Sequence, residues 1–97
     1  MLTNKQLSYL RSEAQTLKAL YQLGKEGLSA NFLVLIDKAL SANELIKIHA
    51  LTKDKDELRL LALDLASQSK AILVQIIGKV ITLYRPSKKR LYNLSRY

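Results

Sequence analysis

The chain contains no cysteine, a single proline and three glycines among its 97 residues. The absence of cysteine excludes a disulfide-stabilised scaffold, a thiolate metal site and a cysteine nucleophile. Its apolar runs are far shorter than the roughly 20 residues of a membrane-spanning helix, and the first six residues lack the apolar region of a signal peptide. We therefore expect a protein that acts in the cytoplasm and does not enter a membrane.

Acidic residues are also scarce, since eight Asp and Glu stand against sixteen Lys and Arg and give a net charge of +8. The excess lies at the two ends: residues 1–25 hold four bases and one acid, and residues 79–97 hold six bases and no acid. A small basic domain favours a polyanionic partner, either nucleic acid or an anionic membrane surface. The basic end lacks the apolar wedge of a membrane-binding helix, which favours nucleic acid.

Apolar periodicity predicts three helices, each with its own start signal. A capping box at Thr3 and Gln6 begins the first helix, and Ser29 is a suitable N-cap for the second. Asp54, with another acid three residues later, begins the third, which runs to about residue 69. Two leucines off the main apolar stripe of the third helix suggest that it is covered on more than one side.

Alternating or β-branched runs predict strands at residues 21–23, 45–50, 71–77 and 80–84. Gly78 supplies the positive φ that a tight hairpin turn between the last two strands requires. Strands that alternate with helices imply a partly parallel sheet, to which the hairpin adds an antiparallel pair. The order helix, strand, helix, strand, helix, strand, strand predicts an α/β two-layer sandwich, with three helices covering one face of a four-stranded mixed sheet.

The first candidate site is the segment Gly24-Lys25-Glu26-Gly27, between the first strand and the second helix. Two glycines let backbone approach a bulky partner closely, and the amides of the following helix N-terminus favour an anion. KH domains clamp a nucleic-acid backbone with such a GxxG loop. The alternative is a tight connection without a binding role, and Glu26 places a negative charge where a phosphate would lie.

The second candidate is the acid-free C-terminal region, where bases are interleaved with tyrosines. Basic groups neutralise phosphates, and aromatic rings stack on unpaired bases. The residues concerned are Tyr84, Arg85, Lys88, Lys89 and Arg90. Because proline cannot extend a strand's hydrogen-bond ladder, we expect residues 86–97 to be irregular. The alternative is a solvated tail that only keeps the protein soluble.

The third candidate is the sheet face away from the helices. Strand alternation assigns Lys47 and His49 to it, together with Gln75, Thr82 and Tyr84, and this face either receives RNA or is simply solvated. The single histidine has no cysteine or suitably spaced carboxylate as a partner. No phosphate loop, nucleophile elbow or carboxylate pair is present either. We therefore expect no metal, no cofactor and no catalytic residue.

Five separated segments complete the pattern. The first segment is residues 2–18, and the second, residues 23–28, contains the two glycines of the first candidate site, which we call the glycine loop. Residues 44–48 read Glu-Leu-Ile-Lys-Ile, and residues 74–79 and 83–87 are the last two segments. In this order and spacing they resemble the CRM domain, named for chloroplast RNA splicing and ribosome maturation. The length and layout are similar to the stand-alone bacterial, YhbY-like members.

The resemblance implies a fold similar to the C-terminal domain of bacterial translation initiation factor three, and an RNA-binding protein that associates with precursors of the large ribosomal subunit. We expect the domain to span residues 1–87, with a basic tail at 88–97, and to act as a monomer. The expected RNA-contacting residues are Gly24, Lys25, Glu26, Gly27, Lys5, Arg11, Lys18, Lys79, Tyr84, Arg85, Lys88, Lys89 and Arg90. The alternative is a protein that docks on a ribosomal protein with little direct RNA contact.

Overall fold

The computed structural model describes residues 2–24, 27–52 and 54–96. Its elements follow in the predicted order. They are α1 (Asn4–Ala14), β1 (Ala19–Leu23), α2 (Ala30–Asn43), β2 (Leu45–Ala50), α3 (Lys55–Gln68), β3 (Ile72–Ile77) and β4 (Val80–Tyr84), followed by a short 3-10 helix at Leu94–Arg96. The α/β class with three helices and four strands is therefore confirmed.

Side-chain caps start all three helices at the predicted residues. The Thr3 Oγ1 accepts a hydrogen bond from the Gln6 amide at 3.1 Å, and the Gln6 side chain accepts one from the Thr3 amide at 2.9 Å. Ser29 accepts the Phe32 amide at 3.1 Å, and the Asp54 carboxylate accepts the amide two residues later at 2.9 Å. Each cap satisfies amides that have no partner within the first helical turn.

The four strands form one mixed sheet in the order β1-β2-β4-β3. β1 runs parallel to β2, whereas β4 is antiparallel to both of its neighbours. β1 begins at Ala19, two residues before the predicted start, because its backbone already pairs with β2 at Lys47. Gly78 has a φ of +59° in the turn between β3 and β4, so the predicted hairpin is confirmed.

The helices divide between the two faces of the sheet, contrary to the expectation that all three cover one face. Helices α2 and α3 pack with Ile46 and Ile48 on one face. Helix α1 packs with Leu45 and Tyr84 on the other, because neighbouring residues of a strand point to opposite faces. Four strands about 4.8 Å apart make a sheet about 19 Å wide, which accommodates two helices spaced by 8–10 Å and not three.

The C-terminal segment is packed against the α1 face and is not a free tail. Tyr92 and Leu94 contact the same core cluster as α1. The Tyr92 ring meets the rings of Tyr84 and Tyr9 edge to face, with centroids 6.4 Å apart in both cases. The Gln6 side chain also donates to the Leu94 carbonyl at 3.1 Å. The predicted division at residue 87 therefore does not coincide with a break in packing.

The outer side of α3 is exposed, which differs from the expected cover on more than one side. Leu60 is 68% exposed and Leu63 is 47% exposed. Both lie off the stripe formed by Leu58, Ala62 and Leu65, which packs on the sheet. No element in the described part of the chain supplies the second cover.

Packing of α1 on the second face predicts a large difference between two leucine truncations. Leu10 is fully buried in that cluster, whereas Leu20 is 75% exposed. We expect Leu10→Ala to lower the free energy of unfolding by about 2–5 kcal/mol, because it leaves a core cavity. Leu20→Ala serves as the matched control and should stay within about 0.5 kcal/mol of the wild type. Urea denaturation measures both, and equal losses would contradict the packing of α1.

Candidate nucleic-acid interface

The glycine loop lies at the edge of the sheet where β1 and β2 both end. The two strands are parallel, so the loops that follow them are neighbours, and the Leu51 amide donates to the Leu23 carbonyl at 3.0 Å. Within the loop the Gly27 amide donates to the Gly24 carbonyl at 3.1 Å. Gly27 has a φ of +71°, a conformation that favours glycine. Lys25 and Glu26 lie outside the described residues, so their roles stay predictions.

The β3–β4 turn reaches the same edge, which we call the glycine edge. The Lys79 carbonyl accepts a hydrogen bond from the Ala50 amide at 2.8 Å, and the Lys79 side chain is exposed. Gly24 and Gly27 line an adjoining cavity of about 330 Å³ whose other walls come from the end of β2 and from α3. Lys79 therefore lies at the same end of the strands as Gly24 and Gly27, and the role of all three in RNA binding stays a prediction.

Helix α3 adds charges of both signs to the glycine edge. Lys55 and Arg59 line a cavity beside Gly78, and neither was among the predicted site residues. Asp54 caps the helix, and two further acids lie in its first turn. These acids lie at the N-terminal end of the helix, where the helix dipole stabilises negative charge, and they offset the charge of the nearby cations.

A cluster of cations occupies the opposite edge, in a segment that we call the basic loop (residues 87–91). Its three central residues, Lys88, Lys89 and Arg90, are exposed and line an open cavity of about 730 Å³ together with Ser41. Lys18 lies at this end of the sheet as well, because it precedes β1, whose start is beside that of β2. It lines a smaller cavity of about 230 Å³ with Leu91.

Most of the exposed predicted site residues on the sheet thus lie at its two opposite ends and do not form one surface. The six residues of β2 separate the glycine edge from the basic loop by about 20 Å. Lys5 and Arg11 are exposed on α1, but six helical residues place them about 120° apart around its axis, on different sides.

Tyr84 does not belong to an exposed site. Its side chain is 2% exposed, because α1 and the C-terminal segment cover that face of the sheet. Thr82, which was assigned to the same open face, is 1% exposed. The ring of Tyr84 packs against Tyr92 and offers no free face on which a base could stack. The burial of Tyr84 therefore contradicts the base-stacking role predicted for it.

The Arg85 guanidinium donates hydrogen bonds to several other parts of the protein, and these bonds leave it little freedom to bind phosphate. It donates to the Asp37 carboxylate and to the Ser69 carbonyl, both at 2.8 Å. It also donates to the Asp37 carbonyl at 2.9 Å and to the Ser41 hydroxyl at 3.0 Å. These contacts connect the end of β4 to α2 and to the residue that ends α3. A phosphate contact through Arg85 would have to replace one of them.

Glu44 is a functional candidate that sequence reasoning missed. It is fully buried, and its Oε2 accepts hydrogen bonds from the Ser87 hydroxyl at 2.5 Å and the Leu91 amide at 2.8 Å. Its other oxygen, Oε1, has no partner among the described residues. The partners lie 43 and 47 positions away, so no local spacing could have identified them.

The hydrogen bonds keep the Glu44 carboxyl charged despite its burial. Burial raises the pKa, but the Ser87 hydroxyl and the backbone of Leu91, Tyr92 and Ser87 outweigh it and lower the pKa from its ordinary value of 4.5. Burial and the Glu44 charge raise the pKa of the Tyr84 hydroxyl, which therefore stays protonated at neutral pH. The carboxylate acts as a fixed anion inside the protein.

The described residues contain neither a group of metal ligands nor a membrane span. No three His, Cys, Asp or Glu residues in those ranges are grouped so that they could hold a metal ion. None of the helices there combines the length and the apolar character that crossing a bilayer requires. The predictions that the protein uses no metal, no cofactor and no catalytic residue stay predictions.

The fold and the exposed cations define a small basic α/β domain, and comparison with known proteins identifies its family. The CRS1 / YhbY (CRM) domain matches residues 2–85, so the chain belongs to that family. It is 42% identical to the "Probable RNA-binding protein YqeI" of Bacillus subtilis, over 92% of this chain and 93% of the relative. It is 35% identical to an "RNA-binding protein" of Haemophilus influenzae, over 98% and 96% of the two chains.

A solved structure has the same fold. The solution structure of SAV1595 from Staphylococcus aureus has a TM-score of 0.80 and 43% sequence identity to this chain. The match covers 91% of this chain and 92% of that one. The resemblance deduced from the sequence is therefore confirmed at the level of family and fold.

The lowered pKa of Glu44 predicts a pH-dependent contribution to stability. Because the folded-state pKa lies below the ordinary 4.5, the contribution is complete above that pH and is lost as the pH falls through the folded value. We expect the difference in unfolding free energy between the wild type and Glu44→Gln to shrink as the pH falls below 4.5. Urea denaturation at several pH values measures this difference. A constant difference from neutral pH to about pH 3 would contradict the assignment.

Proposed function

We propose that this chain is a non-enzymatic RNA-binding protein that acts in assembly of the large ribosomal subunit, bound to precursor ribosomal RNA in the cytoplasm. The observation that carries RNA binding is the availability of its exposed cations. Arg85 forms the only ion pair found among the described residues, so Lys79 and the bases of the basic loop are not neutralised by neighbouring carboxylates. Such side chains are free to neutralise phosphates. The names of the relatives support RNA as the partner, and the family resemblance supports the ribosomal target.

The two edges of the sheet would contribute in different ways. At the glycine edge, Gly24 and Gly27 allow the backbone amides to approach a phosphate, and Lys79 adds charge. At the other edge the basic loop supplies three adjacent cations. One RNA segment that contacts both edges must extend over about 20 Å along the strand direction. Phosphate contacts of this kind fix position and affinity but carry little sequence information, so RNA shape would supply specificity.

A second candidate function is docking on a ribosomal protein with little RNA contact. The exposed Leu60 and Leu63 favour it, because residues three apart lie side by side on a helix surface. They give α3 an apolar outer side that α2 and the sheet do not cover. In this case the cations would serve mainly for solubility.

Crosslinking of the protein to RNA in cells, followed by sequencing of the attached RNA, tests the proposed function. We expect crosslinks concentrated in one region of large-subunit ribosomal RNA, with precursor sequence included. Crosslinks scattered over transfer, messenger and ribosomal RNA would contradict the ribosomal role and leave general RNA binding. Absence of crosslinks, with ribosomal proteins still co-purifying after nuclease treatment, would favour the docking function.

Gly24 provides a clean test of the glycine loop. A Cβ added at this position meets no atom within 4 Å, so Gly24→Val should leave the domain folded. We expect the variant to bind RNA about tenfold more weakly, because a branched side chain blocks at least one charge-assisted bond from an amide to a phosphate. Gly24→Ala is the graded control, with a smaller loss. Fluorescence anisotropy measures affinity and thermal unfolding checks the fold. Unchanged affinity in a folded Gly24→Val variant would mean that the loop is only a connection.

A further inference from the structure

Both ends of the basic loop are attached to one carboxylate oxygen. The Ser87 hydroxyl and the Leu91 amide both donate to Oε2 of Glu44. Ser87 also organises the turn between them, since its hydroxyl accepts the Lys89 amide at 3.1 Å and its carbonyl accepts the Arg90 amide at 3.3 Å. The three residues enclosed by these contacts are all basic and all exposed.

Glu44 is itself fixed to three structural elements. Its amide donates to the Leu40 carbonyl at 2.8 Å and ends α2, and its carbonyl accepts the Arg85 amide at 2.9 Å after β4. β2 begins at the next residue. Its backbone φ is +65°, a conformation that a residue with a side chain adopts only when its surroundings impose it. The carboxylate therefore occupies one position relative to the sheet.

The basic loop needs such an anchor. Three adjacent cations repel one another, and Arg90 has a φ of +48°, which is unfavourable for a residue with a Cβ. A buried carboxylate is costly unless its environment compensates it. Here hydrogen bonds from the loop provide that compensation, so the loop and the anion stabilise each other.

We propose that Glu44 is a positioning residue for RNA binding, which holds the basic loop so that Lys88, Lys89 and Arg90 meet adjacent phosphates without Glu44 touching the RNA. This inference rests on the proposed function. It assigns a role in RNA binding to an acidic residue, whose charge is opposite to that of the basic loop. By charge alone, removal of a carboxylate near a phosphate site would strengthen RNA binding. If Glu44 acts by ordering the loop, its removal weakens RNA binding. The loop and its side chains are then free before binding, and ordering them when RNA binds costs free energy. The direction of the change in RNA affinity therefore distinguishes a simple charge effect from ordering of the loop.

The first experiment compares two variants that each remove one negative charge. We expect Glu44→Gln to bind a ribosomal RNA fragment about fivefold more weakly than the wild type, because the loop is no longer preorganised. Asp64→Asn is the matched control on the exposed side of α3, where the carboxylate accepts a hydrogen bond from the Gln68 side chain. It should bind as well as the wild type or slightly more tightly. Equal or tighter binding by Glu44→Gln would overturn the inference.

A second background shows whether Glu44 acts through the basic loop. In a variant with Lys88→Gln, Lys89→Gln and Arg90→Gln, the loop has no charge to position. We expect Glu44→Gln to weaken RNA binding in the wild-type background and to add nothing in the neutral-loop background. The same loss in both backgrounds would mean that Glu44 is only a structural residue. Ser87→Ala removes one anchor while Glu44 remains in place, and its loss should be smaller but subject to the same dependence on the loop.

Hydrogen exchange without RNA tests the anchoring by itself. We expect the Leu91 amide to exchange faster in both Glu44→Gln and Ser87→Ala, while the amides of β2 and β4 keep their protection. Unchanged exchange at Leu91 would overturn the inference whether or not RNA binds. If the wild type binds no RNA, the proposed function fails and the positioning role fails with it, but faster exchange at Leu91 would still demonstrate the anchor.

Discussion

The buried carboxylate of Glu44 is the constraint on which one end of the molecule depends. The backbone of Glu44 joins the end of α2 to the start of β2 and to the residue after β4. The Glu44 side chain accepts hydrogen bonds from both ends of the basic loop. Beside it, the Arg85 guanidinium connects the end of β4 to α2 and to Ser69. These two charged groups bring together elements that lie far apart in the sequence. They turn a chain end with a large excess of positive charge into a packed surface.

Local signals predicted those elements that local physics controls. The caps at Thr3, Ser29 and Asp54 and the turn at Gly78 each satisfy a requirement within three or four residues, and the structure has them at the predicted positions. The alternation of helices with strands along the chain is likewise read from local patterns, and it predicted the class of fold. The family resemblance rested on five short segments in a fixed order, and it identified the family and the fold.

The features that the sequence did not predict are contacts between distant segments. Tyr84 was assigned to an open face by strand alternation, which identifies a face but does not say what covers it. α1 and Tyr92 cover it here. Arg85 was grouped with its basic neighbours because charge was counted along the chain, while its partner Asp37 lies 48 positions away. The anchoring role of Glu44 depends on contacts of the same long range.

The separation of the two edges has a consequence for how RNA would be bound. At the glycine edge the acids at the start of α3 lie near Lys55 and Arg59 and offset their charge, so backbone amides and Lys79 would supply the attraction for a phosphate there. The basic loop has no exposed acid in its own sequence, and its one carboxylate partner is buried and occupied. Salt screens long-range charge attraction more than a short amide contact, so the salt dependence of binding would arise mainly at the basic loop. Affinity and placement would then be divided between the two ends of one rigid sheet.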